Sequence, residues 1–337
     1  MRVVVVGLGA VGARAARQIM VPGTTTDVVL VDAAADRASA VASSLGPPAT
    51  VGSWGSAALE AADVVLLAQP RDHPAMAATA VAAGAHVVSV TDDVAEVRGL
   101  LALDAEARRR ERSVVVGAGF APGLSCLLAK HAAATFDTVE EVHVARAGTG
   151  GPACARRHHE ALSGDAVDWR DGDWTARPGG SGRELCWFPD PIGARDCYRA
   201  AAPDALVLVP AFPGVARVTA RVAASRRDRL TARLPMMRRP HPEGTLGALR
   251  VEVRGRRGPA TDVRVLGALD RPAVAAAIVA GVATTWAGEG LLSRSGAGGL
   301  AEMVANPLPF LQELAQRGVR AAVFDGAGAQ AASATPP

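Results

Sequence analysis

The chain is almost without lysine and tyrosine: of its 36 basic residues only Lys130 is a lysine, and Tyr198 is the one tyrosine in 337 residues. A Schiff-base mechanism would have to use Lys130, whose neighbours Leu127, Leu128 and Ala129 read as a packed helix. A Tyr-x-x-x-Lys couple for carbonyl reduction is absent, because the two residues are far apart and in the wrong order. Aromatic residues make up 4% and the net charge is only +3, which gives no electrostatic reason to expect a nucleic-acid or membrane partner. The basic clusters Arg226-Arg227-Asp228-Arg229 and Arg238-Arg239 read as solvated faces or anion contacts. The four cysteines form no C-x-x-C pair. A set of Cys154, His158, His159 and Cys186 has the spacing of no standard zinc finger, so no metal site is read. Long hydrophobic runs are missing too: the longest, 273–287, is too short to span a bilayer and carries Thr284 and Thr285, so it reads as a buried helix. A strand-like run from Arg2 leaves no room for a signal peptide, and a cytoplasmic location with reduced thiols is the expectation.

What is present is an ordinary globular composition, 49% hydrophobic and 20% charged, in a chain long enough for two domains. Val3-Val4-Val5-Val6 is a continuous β-branched run, the mark of a strand covered on both faces in a parallel sheet. It leads into Gly7-Leu8-Gly9-Ala10-Val11-Gly12, a G-x-G-x-x-G in which Gly7 allows a tight turn, Gly9 close approach to a pyrophosphate and Gly12 close helix packing. A second buried strand, Val28-Val29-Leu30-Val31, ends in Asp32, 20 residues after Gly12. A carboxylate there accepts from ribose hydroxyls and repels a 2′-phosphate, which favours NAD; Arg37, one helical turn on, keeps NADP open. A solvated strand-end carboxylate is the lesser alternative for Asp32.

Helices at 35–45, 74–83 and 93–111 alternate with strands at 63–68, 86–90 and 113–116. The fold class is therefore α/β: an N-terminal Rossmann, doubly wound parallel sheet, followed by a second α/β domain with a mainly antiparallel sheet. Strand ends at Ala68-Gln69-Pro70 and at Thr91 should border a cofactor. Asp93 begins a capping-box pattern with Glu96, whereas Asp92 is either a cap or a site carboxylate near a nicotinamide. Beyond a Gly/Pro-rich turn at 117–123, a helix at 124–134 and strands at 142–144, 206–209, 215–222, 249–253 and 263–266 are predicted, with 254–259 as a hairpin loop. The predicted division is 1–124 for the dinucleotide domain, 125–285 for substrate binding and dimerisation, 286–325 for C-terminal helices packing back on the first domain, and 326–337 for a flexible tail.

These residues resemble the saccharopine dehydrogenase-like family of NAD(P)-dependent oxidoreductases, which includes saccharopine reductase, lysine 6-dehydrogenase and carboxynorspermidine synthase. The resemblance rests on the glycine fingerprint, on Ala83-Gly84-Ala85-His86-Val87-Val88-Ser89-Val90-Thr91-Asp92, on Gly117-x-Gly119-Phe120-x-Pro122-Gly123, on Phe188-Pro189-Asp190-Pro191-Ile192-Gly193 and on Asp270-Arg271-Pro272-Ala273-Val274. It implies hydride transfer between nicotinamide and the carbon of an amine or imine in a small amino-acid-derived substrate, and a homodimer. The segments 156–160 and 180–187 match no lysine-pathway enzyme residue by residue.

Such chemistry needs one proton carrier. His158 and His159, followed by Glu160, form the densest cluster of titrating groups, and His159 is the favoured one, against a reading of both as packed or surface residues. Asp92 and Tyr198 are the other catalytic candidates. Arginine binds substrate carboxylates bidentately; Arg195 and Arg183, with Arg199 near by, lie in a segment expected to form pocket loops, and His158 of the histidine cluster is a further substrate-binding candidate. Two other readings stay open: oxidation at a carbon–oxygen bond with a histidine base, and a non-catalytic NAD(P)-binding sensor or scaffold dimer.

Overall fold

The computed structural model describes residues 1–236, 239–324 and 329–331. Strand and helix alternate along the first third as β1 (Arg2–Val6), α1 (Gly12–Met20), β2 (Asp27–Val31), α2 (Ala35–Leu45), β3 (Ala49–Val51), α3 (Ser56–Leu59), β4 (Val64–Leu67), α4 (His73–Ala82), β5 (His86–Ser89), α5 (Val94–Leu101), α6 (Asp104–Arg109) and β6 (Ser113–Val115). A more strand-rich stretch follows: α7 (Leu124–Ala133), β7 (Thr138–Ala147), α8 (Pro152–Ala161), β8 (Asp165–Arg170), β9 (Asp173–Pro178), β10 (Glu184–Trp187), β11 (Ala194–Arg199), α9 (Asp204–Leu208), β12 (Arg217–Ala223), α10 (Arg226–Thr231), β13 (Gly247–Arg257) and β14 (Ala260–Asp270). The chain ends in α11 (Pro272–Gly288), β15 (Gly296–Gly298), α12 (Leu300–Met303), α13 (Pro307–Gln316), β16 (Ala321–Phe324) and β17 (Ala329–Ala331).

Two compact units result: residues 1–123 with 273–305, and residues 124–272 with the described residues from 306 on. In the first, seven parallel strands take the order β15-β6-β5-β4-β1-β2-β3. Val3, Val4 and Val5 are fully buried, as an apolar strand with helices over both faces requires. Because β1 lies between β2 and β4, the strand order reverses there, and a crevice opens at the carboxyl ends of β1 and β4. The apolar helix α11 belongs to this unit from Ala273 on. Its buried hydroxyls are satisfied within the helix, Thr284 donating to the Ala280 carbonyl at 2.7 Å and Thr285 to that of Gly281 at 3.2 Å.

In the second unit the sheet runs β10-β11-β12-β7-β13-β14-β16-β17, with β8 also on β12 and β9 on β8. Its pairs are antiparallel except β12 against β7. The alternation of β12 puts Val218, Ala220 and Val222 in the core and Arg217, Thr219 and Arg221 on the other face, in register with Glu141, His143 and Ala145 of β7. Glu252 and Arg250 of β13 continue that charged face.

The structure departs from the sequence reading in definite places. The helix over 93–111 is two, α5 and α6, and Asp104 at the start of α6 accepts from the Ala297 amide at 2.9 Å and pairs with Arg294 at 3.2 Å. The apolar run 206–209 lies in helix α9 and a following 3-10 turn rather than in a strand; short apolar runs do not separate the two by periodicity. The hairpin loop shrinks from 254–259 to Gly258-Pro259, since Arg257 pairs with Ala260. The expected pocket loops around 183–199 contain the antiparallel hairpin β10–β11, pinned by Cys186, Cys197 and Phe188 in one buried cluster. The segment 286–325 is divided, its first part joining the first unit and α13 the second, where α13 packs against α7. Within the expected tail Ala329–Ala331 pairs with β16; 326–328 and 332–337, like Arg238, lie outside the described residues.

Candidate functional site

The crevice of the first unit is built by the loop after β1 and the loop after β4. Gly7 has φ +88°, and a Cβ there would stand 2.4 Å from the Gln69 amide nitrogen, so only glycine lets the two loops meet. At Gly12 a Cβ would fall 1.8 Å from the Gly7 carbonyl oxygen, which forces α1 and β1 together. Gly9 differs: a Cβ there would meet nothing within 4 Å, so its backbone borders open space that a pyrophosphate can fill. Leu8, Ala10 and Val11 complete the loop. At the start of α1 no side chain caps the helix and its first turn holds no acidic residue. Free amides and the positive helix end thus face that space.

Asp32 closes the β2 side. Its carboxylate accepts from the Leu8 amide at 2.7 Å and the Ala34 amide at 2.8 Å, with the Arg37 guanidinium 3.3 Å from both oxygens. Two carboxylate oxygens offer about four acceptor sites; the two amides take two and the long Arg37 contacts the others, so ribose hydroxyls would take the places of the exposed Arg37 guanidinium. On the β4 side, Gln69 donates through Nε2 to the Met76 sulfur at 3.1 Å, while its Oε1 is buried with no hydrogen-bond partner. That orphaned acceptor, followed by the exposed Pro70, suits a ligand donor. The open cradle at Gly9, the uncapped helix and the lone Gln69 acceptor together fit a dinucleotide.

The β5 end adds Thr91 and Asp92. Asp93 is committed to helix capping, accepting from the Glu96 amide at 2.9 Å. Glu96 reaches instead to the start of α4, accepting from the Asp72 and His73 amides at 3.1 and 2.7 Å. Asp92 is half-buried at the strand end, beside the tight loop of residues 117–123, where Gly117 lies near the Thr91 carbonyl. One residue that sequence reasoning passed over belongs here. His73 is fully buried, with Nδ1 2.8 Å from Ser89 Oγ and Nε2 2.7 Å from the Gln69 carbonyl, so it braces the ends of β4 and β5. Its signal was its place directly after the Gln69-Pro70-Arg71-Asp72 loop.

The remaining candidates lie in the second unit and are not gathered at one point. On α8, His158 Nε2 is 3.1 Å from the Ala223 carbonyl and His159 Nε2 is 3.0 Å from that of Leu234; His159 is buried. Both rings thus hold neighbouring backbone in place. Tyr198 is 1% exposed, in a cluster with Ala161, Leu162, Ala200 and Val222. Arg183 is exposed and paired with Asp196 at 2.9 Å, and Arg195 is exposed and donates to the adjacent Ala194 carbonyl. Arg199, by contrast, faces a cavity, with Nε 3.7 Å from Asp168.

Comparison with known proteins agrees with this construction. Residues 2–93 match the family described as NADP oxidoreductase, coenzyme F420-dependent. No curated protein matches the chain. Among solved structures, apo saccharopine dehydrogenase (L-Glu forming) from Saccharomyces cerevisiae is 15% identical, covering 96% of this chain and 100% of its own, with a TM-score of 0.71. DAP dehydrogenase of C. glutamicum, in complex with DAP, is 16% identical over 95% and 99% of the two chains, and a probable dehydrogenase from Thermotoga maritima is 12% identical over 96% and 98%; both have TM-scores of 0.50. At these identities the likeness is one of fold. The resemblance read from the sequence holds at that level, and the first unit is a Rossmann-type NAD(P)-binding domain of the oxidoreductase kind.

Proposed function

We propose that this protein is an NAD-dependent oxidoreductase acting on a carbon–nitrogen bond of a small amino-acid-derived substrate. The observation that carries the reading is the dinucleotide crevice between the Gly7–Gly12 loop and Gln69, joined to a fold shared over nearly the whole chain with saccharopine dehydrogenase. Bound nicotinamide supplies hydride acceptance or donation. The residues of the chain do the rest: the α1 amides hold the pyrophosphate, Asp32 the ribose hydroxyls, and Gln69 Oε1 accepts from a ligand N–H or O–H. Asp32 beside the ribose disfavours a 2′-phosphate, which supports NAD over NADP.

For the proton we favour Asp92, because it stands at the carboxyl end of β5 while neighbouring Asp93 is occupied as a cap and His158 and His159 are engaged with backbone carbonyls. The test is NADH formation from a panel of amino acids and amines. Asp92→Asn is expected to lower kcat roughly 10²- to 10⁴-fold, the usual contribution of a positioned acid or base, with NAD affinity unchanged. Turnover only on alcohols would overturn the carbon–nitrogen assignment, and undiminished turnover by Asp92→Asn the proton assignment.

The same reading includes a homodimer. Leu185 and Trp187, 58% and 61% exposed on the edge strand β10, supply apolar surface for a second copy. Sedimentation equilibrium should give twice the 34.3 kDa chain mass, and a monomer at micromolar concentration would remove this element.

A further inference from the structure

Two adjoining cavities, about 130 and 280 Å³, lie against the charged face of the second sheet, and Arg217 and Thr219 of β12 line both. The smaller adds Arg221, Arg250 and Arg254 against Glu184 and Glu252. The larger adds Arg170, Arg177 and Arg199 against Asp168. Seven guanidinium groups thus face three carboxylates, an excess of four positive charges in a chain whose whole net charge is +3.

Two carboxylates outside the linings offset part of this, Glu141 at 3.5 Å from Arg254 and Asp171 at 3.3 Å from Arg170, which leaves an excess of two. Arg250 and Arg254 share Glu252 at 2.6 and 2.7 Å. Arg221, only 6% exposed, spends Nη1 on Asp168 at 3.3 Å, yet its Nε is buried without a hydrogen-bond partner, 3.8 Å from Glu184. Arg199 Nε is likewise buried without a partner, 3.7 Å from Asp168. Such separations are too long for hydrogen bonds, and a buried N–H left unmade costs its full desolvation. Neither Arg177 nor Arg217 has a carboxylate within 4 Å among the described residues. Unsatisfied guanidinium donors on the walls of a cavity call for an anion that accepts from them.

We propose that the paired cavities bind a small dicarboxylate, one carboxylate in each, with Arg217 between them. A single compact anion such as phosphate would answer the charge of one cavity and leave the other's donors unmet. As a ligand site this rests on the second unit alone; as a substrate subsite it rests on the function proposed above.

The test uses the full-length protein without dinucleotide. Glutarate is titrated at low ionic strength, where such contacts are least screened, and binding is followed by calorimetry and by tryptophan fluorescence, since Trp169 lines the larger cavity. Saturable binding is expected, weakened at least about tenfold in Arg217→Gln and unchanged in Arg226→Gln, which lies outside both cavities. Inorganic phosphate is expected to bind at least about tenfold more weakly. If Arg217→Gln does not fold by circular dichroism, exposed Arg177→Gln carries the same expectation. No saturable glutarate binding, wild-type affinity in the folded variant, or phosphate binding as tight as glutarate would overturn the proposal. Glutarate failing while NAD still binds removes this site and leaves the dinucleotide reading intact; NAD failing while glutarate binds does the reverse.

Discussion

The guanidinium of Arg229 lies over the ring of Tyr198, 4.4 Å from its centroid, and donates through Nε to the Gly180 carbonyl at 2.8 Å. The lone tyrosine thereby has a packing role, because its ring is a buried platform that helps hold α10 against the sheet. Tyr198→Phe keeps the ring and is expected to leave activity unchanged and to alter stability by less than about 1 kcal/mol, whereas Tyr198→Ala should cost roughly 3–5 kcal/mol, as for other large core aromatics. Urea denaturation of both variants checks this, and a large loss of kcat in Tyr198→Phe would return the hydroxyl to the chemistry. Rarity in the sequence made Tyr198 look chemical; its burial depends on the register of β11 against β12, which no local pattern records. The Asp93 cap was legible because spacing alone specifies it. The other half of the pattern was not, since Glu96 serves a different helix, α4.

At the scale of elements, the dinucleotide half was readable because its signals are local and strong. Unbroken valine runs fix β1 and β2, the glycines fix the turn into α1, and Asp32 marks the end of β2. The second sheet was only partly readable: β7 and β12 to β14 were found, but β8 to β11 mix charged, aromatic and small residues without clean alternation, and α9 has no polar face to show a period. Pairing of elements also predicts a pH response. His86 opens β5 and accepts at Nδ1 from the Ser113 amide of β6 at 3.0 Å, which requires the ring nitrogen to be unprotonated. Burial, and then the Arg112 charge, hold its pKa below the ordinary 6.5, with Asp63 pulling the other way. The unfolded chain therefore binds the proton more readily than the folded one, so stability is full above about pH 6.5 and declines as pH falls below it. Losing that one buried hydrogen bond is worth about 0.5–1.5 kcal/mol. Urea midpoints at pH 7 and pH 5 should differ less in His86→Asn than in the wild type; an identical pH slope would place the titration elsewhere.

At the scale of the whole molecule, the chain builds one unit, leaves it at residue 124, builds a second, and returns at residue 273 to complete the first with α11, β15 and α12. That return could not be read from composition, because α11 is apolar enough to be buried in either unit. What each unit offers is distinct: the first a crevice shaped by glycine backbone and one aspartate, the second a sheet face crowded with arginine. With one lysine and one tyrosine in the chain, the proposed chemistry has arginine and helix amides to draw on for anions and carboxylates or histidines for the proton. The central claim is that the first crevice holds NAD through the Gly7–Gly12 loop and Asp32. Calorimetric titration of NAD and NADP into the wild type and Asp32→Ala tests it most directly. The wild type should bind NAD saturably and more tightly than NADP. Asp32→Ala should weaken NAD by roughly 10- to 100-fold, the loss of charge-assisted hydrogen bonds worth about 1.5–3 kcal/mol, with little effect on NADP. No saturable binding of either dinucleotide, or an equal loss of both in Asp32→Ala, would contradict the account.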